Sequence, residues 1–597
     1  MADREEPELL QLPDPCLLHV LHCCSGNLCS LFSAARAHSK LHQAAVTALS
    51  SIAVHLKSHE RVQGLLTYLD KHGQHVAKID VTGSRRQTGW LNLLPTNLFY
   101  LPAGLQLDSL TLTEFDVPAA AIFSKGKIMQ GVVQPGLNLK QLRLKHCRLL
   151  EGMPGLAAAL SLLPELQYLS IATHWNSTLD FGFAADVLTG LQHLTYFELS
   201  SKLQDTDYES PPLQSLTSLA QLADLRLDLK APAAVDGSML AEMQLLTRLE
   251  VTRCAQLDPA ALAGKTQIRH LELDCSIIAA APTAPAAAAL QVPQQAAAAA
   301  GVSQLLGDLQ ELQQLTHLRF GATVFRDGNH PAAEFSALTA SSKLQHLDIS
   351  NCVLPTGVWQ HLFPDDKQLP LMQWLDISWV TVTPDSELSS NADFEGSRIV
   401  SCCPSLKYVN MLRLQYSAED LTPLQRLSGL QTLCIGSIGA NEGVEAVCQL
   451  TGLRVLELRA PDVGDWLLLE LTQLKQLTRL DFRVGEWAGT PTSTVSPYVG
   501  FSLMLDMLPC RSCMGCLRAR QPGMHMLRQI SHHMMVVLYC MDSHTLHANT
   551  TLVSVGWHLV TSDTFSVHVL NVPAPKCALN WLDAAVPSRC FSAGPLW

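Results

Sequence analysis

Three cysteines at fixed spacing, Cys510-x-x-Cys513-x-x-Cys516, are followed by His525, His532 and His533. Three thiolates and one imidazole could complete a tetrahedral zinc site. Zinc knuckles normally pair two such motifs, and no second C-x-x-C follows, so the spacing assigns no metal. No G-x-S-x-G, Walker loop or H-E-x-x-H is present, so no nucleophile, phosphate cradle or metalloprotease helix is indicated. The chain reads as a non-enzyme without a cofactor. What remains is recognition chemistry. Tyr168, Tyr196, His270, His317, His346, Trp374 and Tyr408 recur at one position of a repeated pattern, and Glu250, Glu272, Asp348 and Asp376 recur two residues after that position. Aromatic rings beside carboxylates form a surface suited to a protein partner. Carboxylates spaced along one wall draw a partner with a basic segment.

The pattern that positions these residues is apolar-x-x-apolar-x-apolar. It starts at Val76, Leu107, Leu139, Leu166, Leu194, Leu222, Leu246 and Ile268, and again at Leu315, Leu344, Met372, Leu406, Leu430, Leu453 and Leu477. Its last step is two, so Leu142 and Leu144, Leu249 and Val251, or Leu347 and Ile349 share one face of a strand. The residues between them share the opposite face. An amphipathic helix would instead step by three and four. One such strand cannot bury its apolar face alone, so the repeats must stack. Return legs such as Pro154–Leu163 read as short helix or irregular coil. Cys147, Cys254 and Cys352 each stand three residues after the last core position, where a small thiol can pack and donate weakly to the turn.

A fixed period of this length, with the skeleton L-x-x-L-x-V-x-x-C-x-x-L-D at Leu246–Asp258, resembles the leucine-rich-repeat family. The resemblance implies an α/β solenoid with a parallel concave sheet over residues 76–487. The gap between Ile268 and Leu315 holds an Ala/Pro/Gln-rich run at 279–300. It is expected to be one degenerate repeat plus a low-complexity insertion on the rim or back. Residues 488–597 lack the pattern and read as an irregular extension.

Residues 1–55 read as a small all-α segment. Asp14 can cap a helix with Pro15 at its first position. Leu17, Leu18 and Leu21 fall on one face, a second helix carries Leu28, Leu31 and Phe32, and a third is expected from about Lys40 through Val54. Leu12-Pro13, the helix-spaced leucines, Arg36 and Ala44-Ala45 resemble the F-box. Pro15 stands where that family usually has an acidic residue, and His38 where it has an aromatic one. The resemblance implies docking on a Skp1-like adaptor of a cullin–RING ubiquitin ligase through Leu12, Pro13, Leu17, Leu21 and Leu31. A helical cap over the first repeat is an alternative role for the same helices, and the two are compatible. A connecting helix is expected over residues 56–75. The implied protein is a substrate-recognition subunit of a Skp1–cullin–F-box ligase; the alternative is a leucine-rich-repeat scaffold or inhibitor with no ligase connection.

Composition bounds the rest. The 597 residues exceed one ordinary globular core, but repeat proteins escape that limit. A net charge of −12 argues against a nucleic-acid partner. No apolar run reaches the eighteen or so residues that span a bilayer. The acidic start MADREEPELL lacks a secretory leader. These features predict a cytoplasmic or nuclear protein whose 18 cysteines are reduced.

Overall fold

The computed structural model describes residues 50–55, 59–83, 107–114, 116–117, 138–149, 163–173, 191–201, 213–229, 234–235, 237–277, 294–321, 324–325, 330–383, 394–412, 418–436, 440–458, 470–471, 473–484 and 499–504, with single positions such as Pro13, Leu17 and Leu41. They fall into two compact units, divided between Glu311 and Leu312.

Every expected start opens a strand. In the first unit β1 (Ser51–His55), β2 (Lys78–Thr82), β3 (Ser109–Thr113), β4 (Gln141–Leu149) and β5 (Tyr168–Thr173) pair in parallel in chain order. The ladder continues through β6 (Tyr196–Ser201), β7 (Asp224–Leu229), β8 (Arg248–Leu257) and β9 (His270–Ile277). In the second unit β10 (His317–Phe320), β11 (His346–Asp348), β12 (Trp374–Asp376) and β13 (Tyr408–Met411) do the same. They are followed by β14 (Thr432–Ile435), β15 (Val455–Leu458) and β16 (Arg479–Val484). The register always aligns the same positions, as in Leu347 with Leu375 and Asp348 with Asp376. Leu142, Leu144, Leu249, Val251, Leu347 and Ile349 are fully buried, as their two-residue step requires. Both units are leucine-rich-repeat stacks, and the fold class is the leucine-rich-repeat solenoid.

The return legs include short helices, and the approach to the strands closes with tight turns. Leucines spaced by three close successive turns, with Leu163 N donating to Leu160 O and Leu166 N to Leu163 O. The same pair of bonds links Leu424, Leu427 and Leu430. A bond from i+3 to i is the 3₁₀ pattern, which places the three leucines on one side. Lys265 and Ser341 occupy the middle position of this triplet. The Lys265 ammonium donates to the carbonyls of Ala241 (2.8 Å) and Met243 (3.3 Å), and burial lowers its pKa. The Ser341 hydroxyl donates to Leu315 O at 2.8 Å. Each polar intruder is thus satisfied by the preceding repeat, as a buried polar group must be.

The chain turns through left-handed corners at Glu114, Asn351 and Trp379, just past their strands, and at His146 and Arg253, at the register shifts within β4 and β8. Asn tolerates that region; the others carry a cost of roughly 1 kcal/mol each. The corner N–H of Asn351 donates to Ser378 O, and that of Trp379 to Leu412 O. The next thiols behave as expected: Cys147, Cys254 and Cys352 are buried and unbridged, and Cys147 Sγ donates to Leu112 O.

Three expectations are corrected. Residues 51–55 are strand β1, paired in parallel with β2, and not the end of a third helix. The chain reads Leu49-x-x-Ile52-x-Val54 there, a sixteenth copy of the signature. The segment 1–55 is therefore not wholly helical. The connecting helix itself is present as α1 (His59–His72). The Ala-rich run ends in α2 (Gln294–Glu311), whose Val302, Leu305, Leu306 and Leu309 are buried at helical spacing. The low-complexity stretch thus merges into a regular helix before β10. Finally, the extension expected to be irregular contributes β17 (Val499–Met504), which pairs antiparallel with β16. Among the described residues no helix is long and apolar enough to cross a membrane.

Leu249 lies in β8 with a fully buried side chain. Leu249→Asp would place an unpaired carboxylate between two repeats, and the expected cost is more than about 4 kcal/mol. Urea denaturation monitored by circular dichroism measures it.

Candidate partner-binding face

The residues between core positions point away from the leucine core, and the parallel register stacks them into rows. In the first unit the row through Gln141, Tyr168, Tyr196 and Asp224 brings Tyr168 and Tyr196 into contact. Their rings stack with centroids 3.9 Å apart and 7° between planes. The Arg143 guanidinium lies 4.3 Å above the Tyr168 ring, and that of Arg226 lies 5.1 Å from the Tyr196 ring. The result is a four-layer stack of guanidinium, ring, ring and guanidinium, each end held by cation–π attraction. Tyr196 Oη donates to Glu198 Oε2 at 2.9 Å, and Ser170 Oγ donates to the same oxygen at 2.8 Å. Burial first, and then hydrogen bonding and the Glu198 charge, push the Tyr196 phenol well above its usual pKa.

Glu250 is the hub of the neighbouring charges. Arg248 Nε donates to it at 2.7 Å, Arg226 Nε lies 3.6 Å away, and His270 Nε2 lies 3.2 Å away. Arg226 also holds Asp224 through two bonds of 3.1 and 3.2 Å. Arg253 pairs with Asp228. Burial alone would raise the Glu250 pKa, but hydrogen bonds from His270 and Arg248 and the charges of Arg226 and Arg248 outweigh it. The carboxyl is held down to about 2. Ligand atoms of Glu250, His270 and Glu272 lie within 4.8 Å of one another, a grouping able to hold a metal ion. Two guanidiniums already neutralise Glu250 and would repel a dication, so recognition, not coordination, is the chemistry this cluster supports.

In the second unit one row is made of rings. His317 and His346 stack at 5.5 Å, His346 and Trp374 at 5.2 Å, and Trp374 and Tyr408 at 3.4 Å with 4° between planes. Trp374 is 36% exposed, which makes it one of the most open large apolar side chains described. Asp348, Asp376 and Asn410 lie two residues further along the same strands. Asp348 takes Arg319 Nε at 3.0 Å and the Ser350 N–H at 3.0 Å. Asp376 accepts from Ser378 N (3.0 Å), Ser378 Oγ (2.7 Å) and Asn410 Nδ2 (2.9 Å). Burial, opposed by the Ser378 bonds, leaves the Asp376 pKa raised. Among the described residues Asp376 has no cationic partner. The Cys434 thiol is pushed up to about 12, by burial first and then by Glu457, so it is not a nucleophile.

The expected face residues therefore form two groups. Tyr168, Tyr196, Glu250, His270 and Glu272 stand in the first unit, and His317, His346, Asp348, Trp374, Asp376 and Tyr408 in the second. Arginines one strand away or two residues along compensate Glu250 and Asp348. Arg143, Arg226, Arg248 and Arg319 were missing from the expected site. Their one-residue offset from a core leucine was visible in the sequence, but the pairings of Arg226 with Glu250 and of Arg319 with Asp348 depend on the cross-strand register. Of the expected adaptor contacts, Pro13 is exposed and Leu17 is fully buried, with Leu17 N donating to Pro13 O. Leu12, Leu21 and Leu31 lie outside the described residues, as do Cys510, Cys513, Cys516 and the histidines after them.

No known protein family and no curated protein matches the chain. Solved structures do. An internalin from Listeria monocytogenes is 17% identical with a TM-score of 0.40, over 65% of this chain and 90% of that one. Toll, in the Drosophila Toll–Spatzle complex, is 15% identical with a TM-score of 0.34, over 69% of this chain and 44% of that one. The plant peptide hormone receptor RGFR1, in complex with RGF2, is 15% identical with a TM-score of 0.31, over 70% and 69%. The fold assignment rests on the strand register and the leucine spacing; these likenesses add nothing about function.

The depressed Glu250 pKa has a pH signature. The folded state favours the ionised form, so its contribution is fully present above about 4.5 and is lost as pH falls through about 2. Glu250→Gln should cost roughly 1–3 kcal/mol at pH 7 and flatten the acid limb of the stability profile between those values. Thermal melts of both proteins from pH 2 to 7 measure it.

Proposed function

We propose that this chain is a non-catalytic receptor for protein segments, and that the ring row of the second unit is its contact surface. The observation that supports this best is the stack His317–His346–Trp374–Tyr408, with an exposed indole beside Asp376, a carboxylate that has no cationic partner among the described residues. Interface centres are enriched in such aromatics, and rigid rings lose little freedom on binding. A basic segment suits the site: its aliphatic stem would lie along the ring edges, and its charge would reach Asp376 and Asp348. The stacked faces are occupied by one another, so a partner meets edges, which carry the His, Trp and Tyr polar atoms.

The finer part of the proposal is that the receptor selects substrates for a Skp1–cullin–F-box ubiquitin ligase in the cytoplasm or nucleus. The F-box-like pattern from Leu12 to Ala45 supports it, and the turn in which Cys16 and Leu17 both donate to Pro13 O fits a helix starting there. The protein itself would contribute proximity, bringing a substrate lysine near the charged E2.

Two measurements test these readings. A Lys/Arg-rich dodecapeptide should bind the full-length protein in biolayer interferometry, while the same peptide with Gln for Lys and Arg should not. Trp374→Ala should raise the off-rate about tenfold, and Asp348→Asn should chiefly lower the on-rate, more so at low salt. Unchanged kinetics in both variants would move the contact surface elsewhere. For the ligase, purified Skp1 should co-purify with the full-length protein and not with a chain lacking Met1–Ala45. Failure of the full-length protein to hold Skp1 removes the ligase reading and leaves the receptor reading intact.

A further inference from the structure

One outward arginine of the first unit differs from the others. Arg226, Arg248 and Arg253 each hold a carboxylate. Arg143 makes no ion pair among the described residues, and its Nε is buried with no hydrogen-bond partner. Its guanidinium lies 4.3 Å over the Tyr168 ring, which is itself stacked on Tyr196. An arginine fixed in this way has given up much of its rotamer freedom before any ligand arrives, so less is lost on binding. A planar guanidinium fork matches a carboxylate through two parallel bonds.

Two lysines flank the site, and Glu198, two strands away on β6 and held by Ser170 and Tyr196, bounds it on that side. Lys145 is exposed two residues along β4, on the same face as Arg143. Thr111, the register neighbour of Arg143 on β3, is buried to 4% exposure and offers a hydroxyl in the same row. Lys78 is exposed on β2. Asp80 closes the row from β2, aligned with Thr111 and so two strand spacings, roughly 10 Å, from Arg143. It would repel an anion, and it penalises a doubly charged group more than a singly charged one.

We propose that Arg143 anchors a second docking site, one that takes a carboxylate-bearing acidic segment of a partner protein. Arg143 is the reader, Lys145 supplies added attraction, and Asp80 sets the far limit of the site. This site is independent of the ring row in the second unit and has the opposite charge preference.

The probe is a fluorescein-labelled Asp/Glu octapeptide, titrated with full-length protein by anisotropy at low and high salt. Saturable binding that weakens with salt is expected. Arg143→Gln and Arg143→Lys should both weaken it at least about fivefold, because lysine keeps the charge and loses the fork. Lys145→Gln, at an exposed position that cannot unfold the chain, should weaken it about twofold, and Asp80→Asn should tighten it by a similar factor. Trp374→Ala should change nothing, which separates this site from the ring row. The proposal is overturned if the octapeptide does not bind, or if both Arg143 variants bind it as the wild type does. A phosphoserine octapeptide bound more than about tenfold tighter would overturn the carboxylate assignment.

Discussion

A carbonyl oxygen has two lone pairs, and at each rung of both ladders one carbonyl uses both. Thr316 O accepts from Gln345 N and His346 N; Gln345 O accepts from Gln373 N and Trp374 N; Gln373 O accepts from Lys407 N and Tyr408 N. The same fork joins Ser50 O to Ala77 and Lys78, and Ala223 O to Thr247 and Arg248. The accepting residue follows the first apolar core position of its repeat, Leu315, Leu344 and Met372 in the first three cases. That fork fixes the register at the point where each strand begins, and the rest follows from it. Leucines fall on leucines, the thiol corners lie over the preceding turn, and His346, Trp374 and Tyr408 come into a single row. A slip of one residue would turn every core leucine outward.

This dependence explains what the sequence disclosed. Strand positions were legible because a two-residue step between leucines has no helical reading. β1 was missed because the preceding residues at Lys40–Ala48 set a helical expectation, and the signature at Leu49, Ile52 and Val54 lay at its end. The β-branched pair Ile52 and Val54 was the available sign. β17 was missed for a different reason: an antiparallel closing strand obeys no repeat, so no period announces it. The helix α2 was hidden by composition, since an alanine run reads as low complexity until Leu305, Leu306 and Leu309 give it a buried side.

The face shows the same division. Period two was enough to place Trp374, Tyr196 or Glu250 outward. Charge compensation was only partly legible: Arg248 stands two residues from Glu250 on the same strand, but Arg226 meets Glu250, and Arg319 meets Asp348, only across neighbouring strands. Glu250 and Asp348 looked like members of one negative wall; in the fold each sits beside an arginine. Asp376 and Arg143 are the informative residues because, among the described residues, the register leaves them without opposite charges. Their surroundings are also the most constrained, one by Ser378 and Asn410 and the other by Tyr168.

Because the forked rungs lie along the stacking direction, a pull on the chain ends loads them one after another instead of all together. A repeat would then let go as a unit once its fork and neighbouring strand bonds break, as a zipper opens tooth by tooth. The length released is set by the spacing between signatures. The 24 residues from Leu453 to Leu477 would pay out roughly 80 Å of slack at about 3.4 Å per residue, and the 29 from Leu315 to Leu344 roughly 100 Å. The unequal repeats are thus a mechanical barcode, in which the order of extension steps reports which end of a ladder yields first.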